Sequence, residues 1–277
     1  MNTLPKLKNN SGQTLLVVVL VISVSLIVAL SVISRSITDV TVTNKEEESQ
    51  RAFSAAEAGI EKSLLSGSSI TPTNLANASF TTQVGPFSQG TSSFVSPVPL
   101  NSGESMTVWF VSHNTDGSPH LNCGDAGFPC FSGTSINVCW DQDATAVASA
   151  VEVTVYHGSD LAHIEIYRTA VDSASPARGS FSSAAGSCTI GTNTFAHSQT
   201  ITLPGQKIFA RVKVLYNTTP VKIGIDGLSS AFPAQGIMVT SSGLAGAANR
   251  KISVFESYSE IPSIFELALF SPGGITK

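Results

Sequence analysis

Charge is scarce in this sequence. Asp, Glu, Lys and Arg make up 12% of its 277 residues, and the net charge is -4. No basic patch stands against that balance, so the chain lacks the footprint that neutralising nucleic-acid phosphates requires. Catalytic signatures are missing too. There is no HExxH, no G-x-S-x-G and no Walker loop, which leaves a zinc hydrolase, a serine hydrolase and an NTPase without their residues. The chain is therefore not expected to be an enzyme, and no cofactor is expected. No internal repeat of fixed period is visible.

What is present is apolar and concentrated. From Thr14 to Ile33 about twenty residues carry no charge, enough helix to cross a ~30 Å hydrocarbon core. A cleaved secretory signal has an apolar region of ~7–15 residues that ends at small residues. This run is longer, and Ala29-Leu30-Ser31 sits inside further apolar sequence. Lys6 and Lys8 precede the run, Arg35 follows it, and the mixed cluster Lys45-Glu46-Glu47-Glu48 comes later. Positive charge before the span favours a single pass with a cytoplasmic N-terminus and the remainder exported.

The helix signal does not stop at the membrane run. Residues 34–66 contain no Pro and no Gly before Gly59. Phe53, Ala56, Ile60 and Leu64 recur at helical spacing and draw one apolar stripe. Glu47 lies four before Arg51, the favourable order for a helical ion pair. Ile37 to Val42 is β-branched and locally weak, a place where the helix could bend or melt. Gly67 is the natural stop. One helix is expected from about Thr14 to Leu65, roughly 75–80 Å long.

A short leader with Lys6 and Lys8 that ends in Gly12, followed at once by such a helix, resembles the class III signal of the type IV pilin superfamily. "QRAFSAAEAGIEKSL", residues 50–64, looks like the Ala-Phe-x-Ala-Ala-Glu-Ala segment of PilX-like minor pilins and pseudopilins. The resemblance covers residues 1–66. It implies peptidase cleavage after Gly12, N-methylation of Gln13 and retention of the helix 13–66 for assembly. Ala52, Ala55, Ala56, Ala58 and Gly59 would face the exported domain, with Glu57 the acidic member of the segment. Two positions depart from the pattern. Gln13 stands where most pilins have Phe, and Val17 stands where major pilins carry a Glu that is thought to pair with a neighbour's N-terminal amine. The missing carboxylate points to a minor subunit at or near a filament tip. The implied partners are other pilin subunits, the prepilin peptidase, the inner-membrane platform and the motor ATPase. The implied locations are the cytoplasmic membrane before assembly and the fimbrium or cell surface after. The alternative from another class is an adhesin or ligand-binding domain on an uncleaved anchor.

The remainder reads as β-structure, which makes the fold class α+β: a long helix, then an all-β sandwich-like domain. Residues 67–105 are rich in Ser, Thr, Pro and Gly and read as a linker with a short strand or two. The domain is expected over 106–277, with strands at 106–112, 135–140, 206–217, 221–227, 235–243 and 249–258. Residues 149–158 and 162–168 read as a hairpin turning at Gly158-Ser159-Asp160. Val151, Val153 and Val155 should face one way, with Glu152 and Thr154 the other. "SGLAGAANRKISVFESY" (242–258) and the tail "IPSIFELALFS" (261–271) resemble the closing strand and tail of exported pilins.

Four cysteines allow three connectivities on the exported side of a membrane. The favoured pairing joins Cys123 to Cys130 as a local loop clip and Cys139 to Cys188. Three readings for metals stand beside this. Zinc would use His120 with Cys123. A cluster would form from His157 and His163 near Glu152, Asp160 and Glu165. Calcium would sit at Asp141-Gln142-Asp143 or at 114–118, although neither follows the twelve-residue calcium loop and Asp116-Gly117 is a turn signal. None has a full ligand motif, so no metal is expected. Trp109, Phe110, Phe128, Phe131, Trp140 and Tyr156 crowd around the cysteines; most are expected in the core, with some on the clipped loop free to meet a partner.

Overall fold

The structure is a computed structural model that describes residues 11–142 and 148–260. Among the described residues, helix α1 (Ser11–Ser66) is followed by strands alone. Strands β1 (Thr73–Leu75), β2 (Ala78–Pro86) and β3 (Ser93–Val95) occupy the stretch expected as a linker. Next come β4 (Ser105–Trp109), β5 (Ser112–His113), β6 (Pro119–His120) and β7 (Ser135–Trp140). The hairpin β8 (Ala150–His157) and β9 (Glu165–Asp172) leads to β10 (Ser182–Ser183), β11 (Cys188–Ile190), β12 (Asn193–Phe195) and β13 (His197–Thr202). Strands β14 (Lys207–Leu215), β15 (Gly224–Asp226), β16 (Ile237–Ala245) and β17 (Ala248–Glu256) complete the order. The class is α+β: one long apolar N-terminal helix, then a β-rich part with several sheets.

The chain divides into two units, Met1–Gln83 with Thr240–Ile252, and Val84–Val239 with Ser253–Lys277.

In the first unit, α1 is about 84 Å long at 1.5 Å per residue. Its apolar half is long and apolar enough to cross a membrane, with mean hydropathy 3.2 in its best window. Leu15 to Val42 is exposed on every side. The β-branched stretch from Ile37 to Val42 stays helical. Thr38, Thr41 and Thr43 each donate their hydroxyl to the carbonyl four residues back, at 2.8–2.9 Å, which satisfies those hydroxyls within the helix.

In the second unit two sheets, β10-β9-β8-β14-β4 and β13-β7-β15-β3, contribute to one core. Val151, Val153 and Val155 of β8 and Val212 and Val214 of β14 meet Ile136, Val138 and Trp140 of β7 and Ile225 of β15 there. The hairpin expected from 149–158 and 162–168 is present with its second strand displaced to Glu165–Asp172, and it pairs from Ala150↔Asp172 to His157↔Glu165. Its valines alternate as expected, yet Thr154 on the opposite face is buried as well. It lies across from Arg211, whose guanidinium is covered and sits 3.8 Å from Glu260.

Residues 67–105, read as a linker with a short strand or two, carry buried residues: Phe80 and Thr82 on β2, Phe94 on β3 and Ser96 after it. Two of these four are hydroxyl residues, whose burial depends on partners distant in sequence. The tail at 261–271 lies outside the described residues.

Candidate functional site

The segment singled out in α1 meets the sheet of its own unit through small residues. Ala52, Ala55, Ala56, Gly59, Ile60 and Ser63 are buried, a track at spacings of three and four. Phe53 and Leu64 were expected on that stripe, but they are 47% and 41% exposed and turn away from it. Ala56 and Ile60 are where they were expected; Glu57 is exposed.

Geometry explains which face wins. A Cβ on Gly59 would overlap Ser241 Oγ and come within 2.9 Å of Phe80 and of Thr82. A Cβ on Gly243 of β16 would overlap the Ala52 carbonyl oxygen and lie 2.6 Å from the Ala56 nitrogen. Two glycines facing opposite ways therefore let helix and sheet backbones touch, and a Phe in that track would hold them apart. The pure hydrophobic pattern points to the larger residues and misses this.

Polar groups fix the register. Ser63 Oγ lies 2.5 Å from Thr82 Oγ1, which also accepts from the Ile70 amide at 2.9 Å. Near the β16–β17 turn, Glu48 accepts from the Ala247 amide at 3.2 Å, and Arg250 donates to Ser49 Oγ at 2.6 and 2.9 Å. Ser49, Ser63, Gly243 and Arg250 were not legible as partners; the only sequence trace is that Ser63 continues the small-residue track begun at Ala52. Glu47 and Arg51 form the expected helical ion pair. Gly12 and Gln13 lie in the first turn of α1, and Val17 is exposed further along it.

In the second unit Cys123–Cys130 and Cys139–Cys188 are both disulfides, with Cα separations of 5.4 and 6.3 Å. This is the pairing favoured from sequence, and it removes the thiolate that a zinc site at His120 would need. His120 instead bonds Asn114 through Nδ1 and Asp125 through Nε2, each at 2.8 Å, and stacks on Phe128. The calcium candidate at 114–118 is a turn. Asp116 accepts from the Ser118 amide and hydroxyl at 2.9 and 2.6 Å, bonds that hold its carboxyl below the usual range, and Gly117 has a φ of +82°. Asp141 is buried and accepts from Ser149; Asp143 lies outside the described residues.

His163 bonds Asp160 at 2.9 Å and His157 lies 4.0 Å from Glu165, two separate pairs on the hairpin. Among the described residues no three His, Cys, Asp or Glu side chains converge on a point that could hold a metal. Trp109, Phe110, Phe131 and Trp140 are buried, whereas Phe128 and Tyr156 are half-buried.

Asp172 forms an ion pair with Arg178. The carboxylate is fully buried and accepts from Arg178 Nε and Nη2 at 2.7 and 2.6 Å and from two backbone amides. These hydrogen bonds, Arg178 first, hold its carboxyl far below the usual range. Arg178 also donates to the Ala148 carbonyl and lies over the Tyr216 ring at 4.1 Å. Nε and Nη2 are thus committed internally, so this is a structural clamp on the segment after β9.

Comparison with protein-family models, curated proteins and solved structures finds no match to this chain.

Proposed function

We propose that this chain is a minor subunit of a type IV pilus-like filament, cut after Gly12 and carried into the filament by α1. One observation carries the reading. A single unbroken helix bears bare apolar side chains on all sides over Leu15 to Ile33 and then, without a break, seats an Ala/Gly track on a sheet. Lipid can solvate the first half before assembly and neighbouring helices can bury it afterwards, while the second half fixes the domain to the rod. In this reading the two sheets sharing one core form an exported β-sandwich, and the two disulfides suit an oxidising compartment. Val17, with no carboxylate to offer an adjacent amine, favours a minor place over self-sufficient polymerisation.

The test is Gly12→Leu in the cell of origin, read by intact mass. The proposal expects wild type to begin at methylated Gln13 and the variant to retain its leader. Both chains beginning at Met1, with masses that differ only by the substitution itself, would leave the alternative: a surface domain on an uncleaved anchor, whose outward features would then be the clipped loop 123–130 and the exposed hairpin residues Leu161, Ile164 and Ile166.

A further inference from the structure

The segment after β17, Ser257 to Glu260, is strapped onto β4 and β5 of its own unit. The Tyr258 ring stacks on the His113 ring with centroids 3.6 Å apart and planes 11° apart. Trp109 meets His113 edge-on at 4.3 Å and Tyr258 at 6.3 Å. Glu260 accepts from Thr107 and lies 3.8 Å from Arg211. One imidazole is thus enclosed between two aromatic rings, and both its nitrogens are buried without a hydrogen-bond partner among the described residues.

A neutral imidazole tolerates that enclosure, because its flat faces pack like any aromatic ring. An imidazolium does not. It has two N–H donors, and nothing here accepts from either. The charged and titratable groups around it offer no relief. β4 contributes Trp109; the strap contributes Tyr258, whose phenol is pushed up by burial, and Glu260, committed to Thr107 and Arg211. β6 contributes His120, bonded to Asn114 and Asp125. β14 contributes Lys207, 5.8 Å from the Phe131 ring, and Arg211. Glu256, at the end of β17, is exposed.

We propose that His113 is the proton-sensitive pin of a latch: protonating its imidazole expels the Tyr258 ring and releases the strap 257–260 from β4. Release uncovers Trp109 and Phe255 in a cavity of about 180 Å³ that the strap itself helps to line. The latch stands on the ring geometry and does not depend on the assembly role proposed above.

Burial alone depresses the imidazole, from 6.5 to about 4. A depressed histidine contributes stability that is fully present above 6.5 and lost as pH falls toward about 4. Over that window the opening constant rises, and between pH 7 and pH 5 the two values give an increase of about 20-fold.

The experiment is limited proteolysis of the full chain in detergent with a glutamate-specific protease, following cleavage after Glu256 and Glu260 by mass spectrometry. Wild type is compared with His113→Phe at pH 7 and pH 5, so that the pH dependence of the protease cancels in the ratio of rates. The wild-type rate relative to the variant is expected to rise about 20-fold on acidification. A ratio unchanged between the two pH values overturns the latch, as does equal acceleration of both proteins. His113→Gln, neutral at every pH, replaces the Phe variant if the latter unfolds at pH 7, and the same two results decide.

Discussion

Gly59 and Gly243 show how little space separates α1 from β16: a single methyl at either position meets backbone or buried side chain. Gly59→Ala and Gly243→Ala are each expected to destabilise the first unit by about 1–3 kcal/mol through overpacking, measured by thermal or denaturant unfolding in detergent. Gly85, with nothing near its absent Cβ, is the control, and its alanine variant should be close to neutral. At Asp172 the effect is electrostatic. Arg178 depresses the folded carboxyl, so the clamp contributes stability above the unfolded value of about 3.8 and loses it as pH falls below that. Asp172→Asn should cost about 3 kcal/mol near neutral pH, because it leaves Arg178 facing a neutral partner. It should also remove the part of acid destabilisation that begins near pH 4. If denaturation curves of wild type and variant move in parallel from pH 7 to pH 3, Asp172 does not act through its charge.

Elements differ in what their sequences reveal. The apolar half of α1 and the β8–β9 hairpin were legible because their signals are local: an uninterrupted hydrophobic run in one, alternation around a Gly-Ser-Asp turn in the other. The buried face of α1 near Phe53 was not, since hydrophobicity favours the larger residue while close approach to Gly243 selects the smaller ones. Strand β2 was hidden for a related reason, because Thr82 is buried only by virtue of bonds to Ser63 and Ile70, residues from elsewhere in the chain. The helix assignment makes a direct prediction: Ile60→Ala should cost about 2–4 kcal/mol, whereas Phe53→Ala, at an exposed site, should cost under about 1 kcal/mol. A reversed order would restore the Phe53 stripe as the buried face. The disulfides were legible from spacing, and loop length ranks them. Opening Cys139–Cys188, separated by 49 residues, should cost about 4 kcal/mol, against about 2.5 kcal/mol for Cys123–Cys130, separated by 7. Paired Cys→Ser variants and denaturant midpoints measure both.

For the whole molecule the account rests on α1 having two environments in succession, lipid first and neighbouring helices afterwards. Nothing in the fold of the β-rich part requires a 56-residue helix; an anchor alone would need about twenty apolar residues. The amphipathic continuation is explained by its seat on the sheet; the proposal assigns the bare apolar half to assembly. That division predicts that the apolar half survives in the mature protein while the residues before Gln13 do not. The direct measurement is the intact mass and N-terminal sequence of the protein taken from its own cell membranes. A chain that begins at a methylated Gln13 is the predicted result. A chain that begins at Met1, or one that begins beyond Ser31 and lacks the apolar helix, would contradict the account.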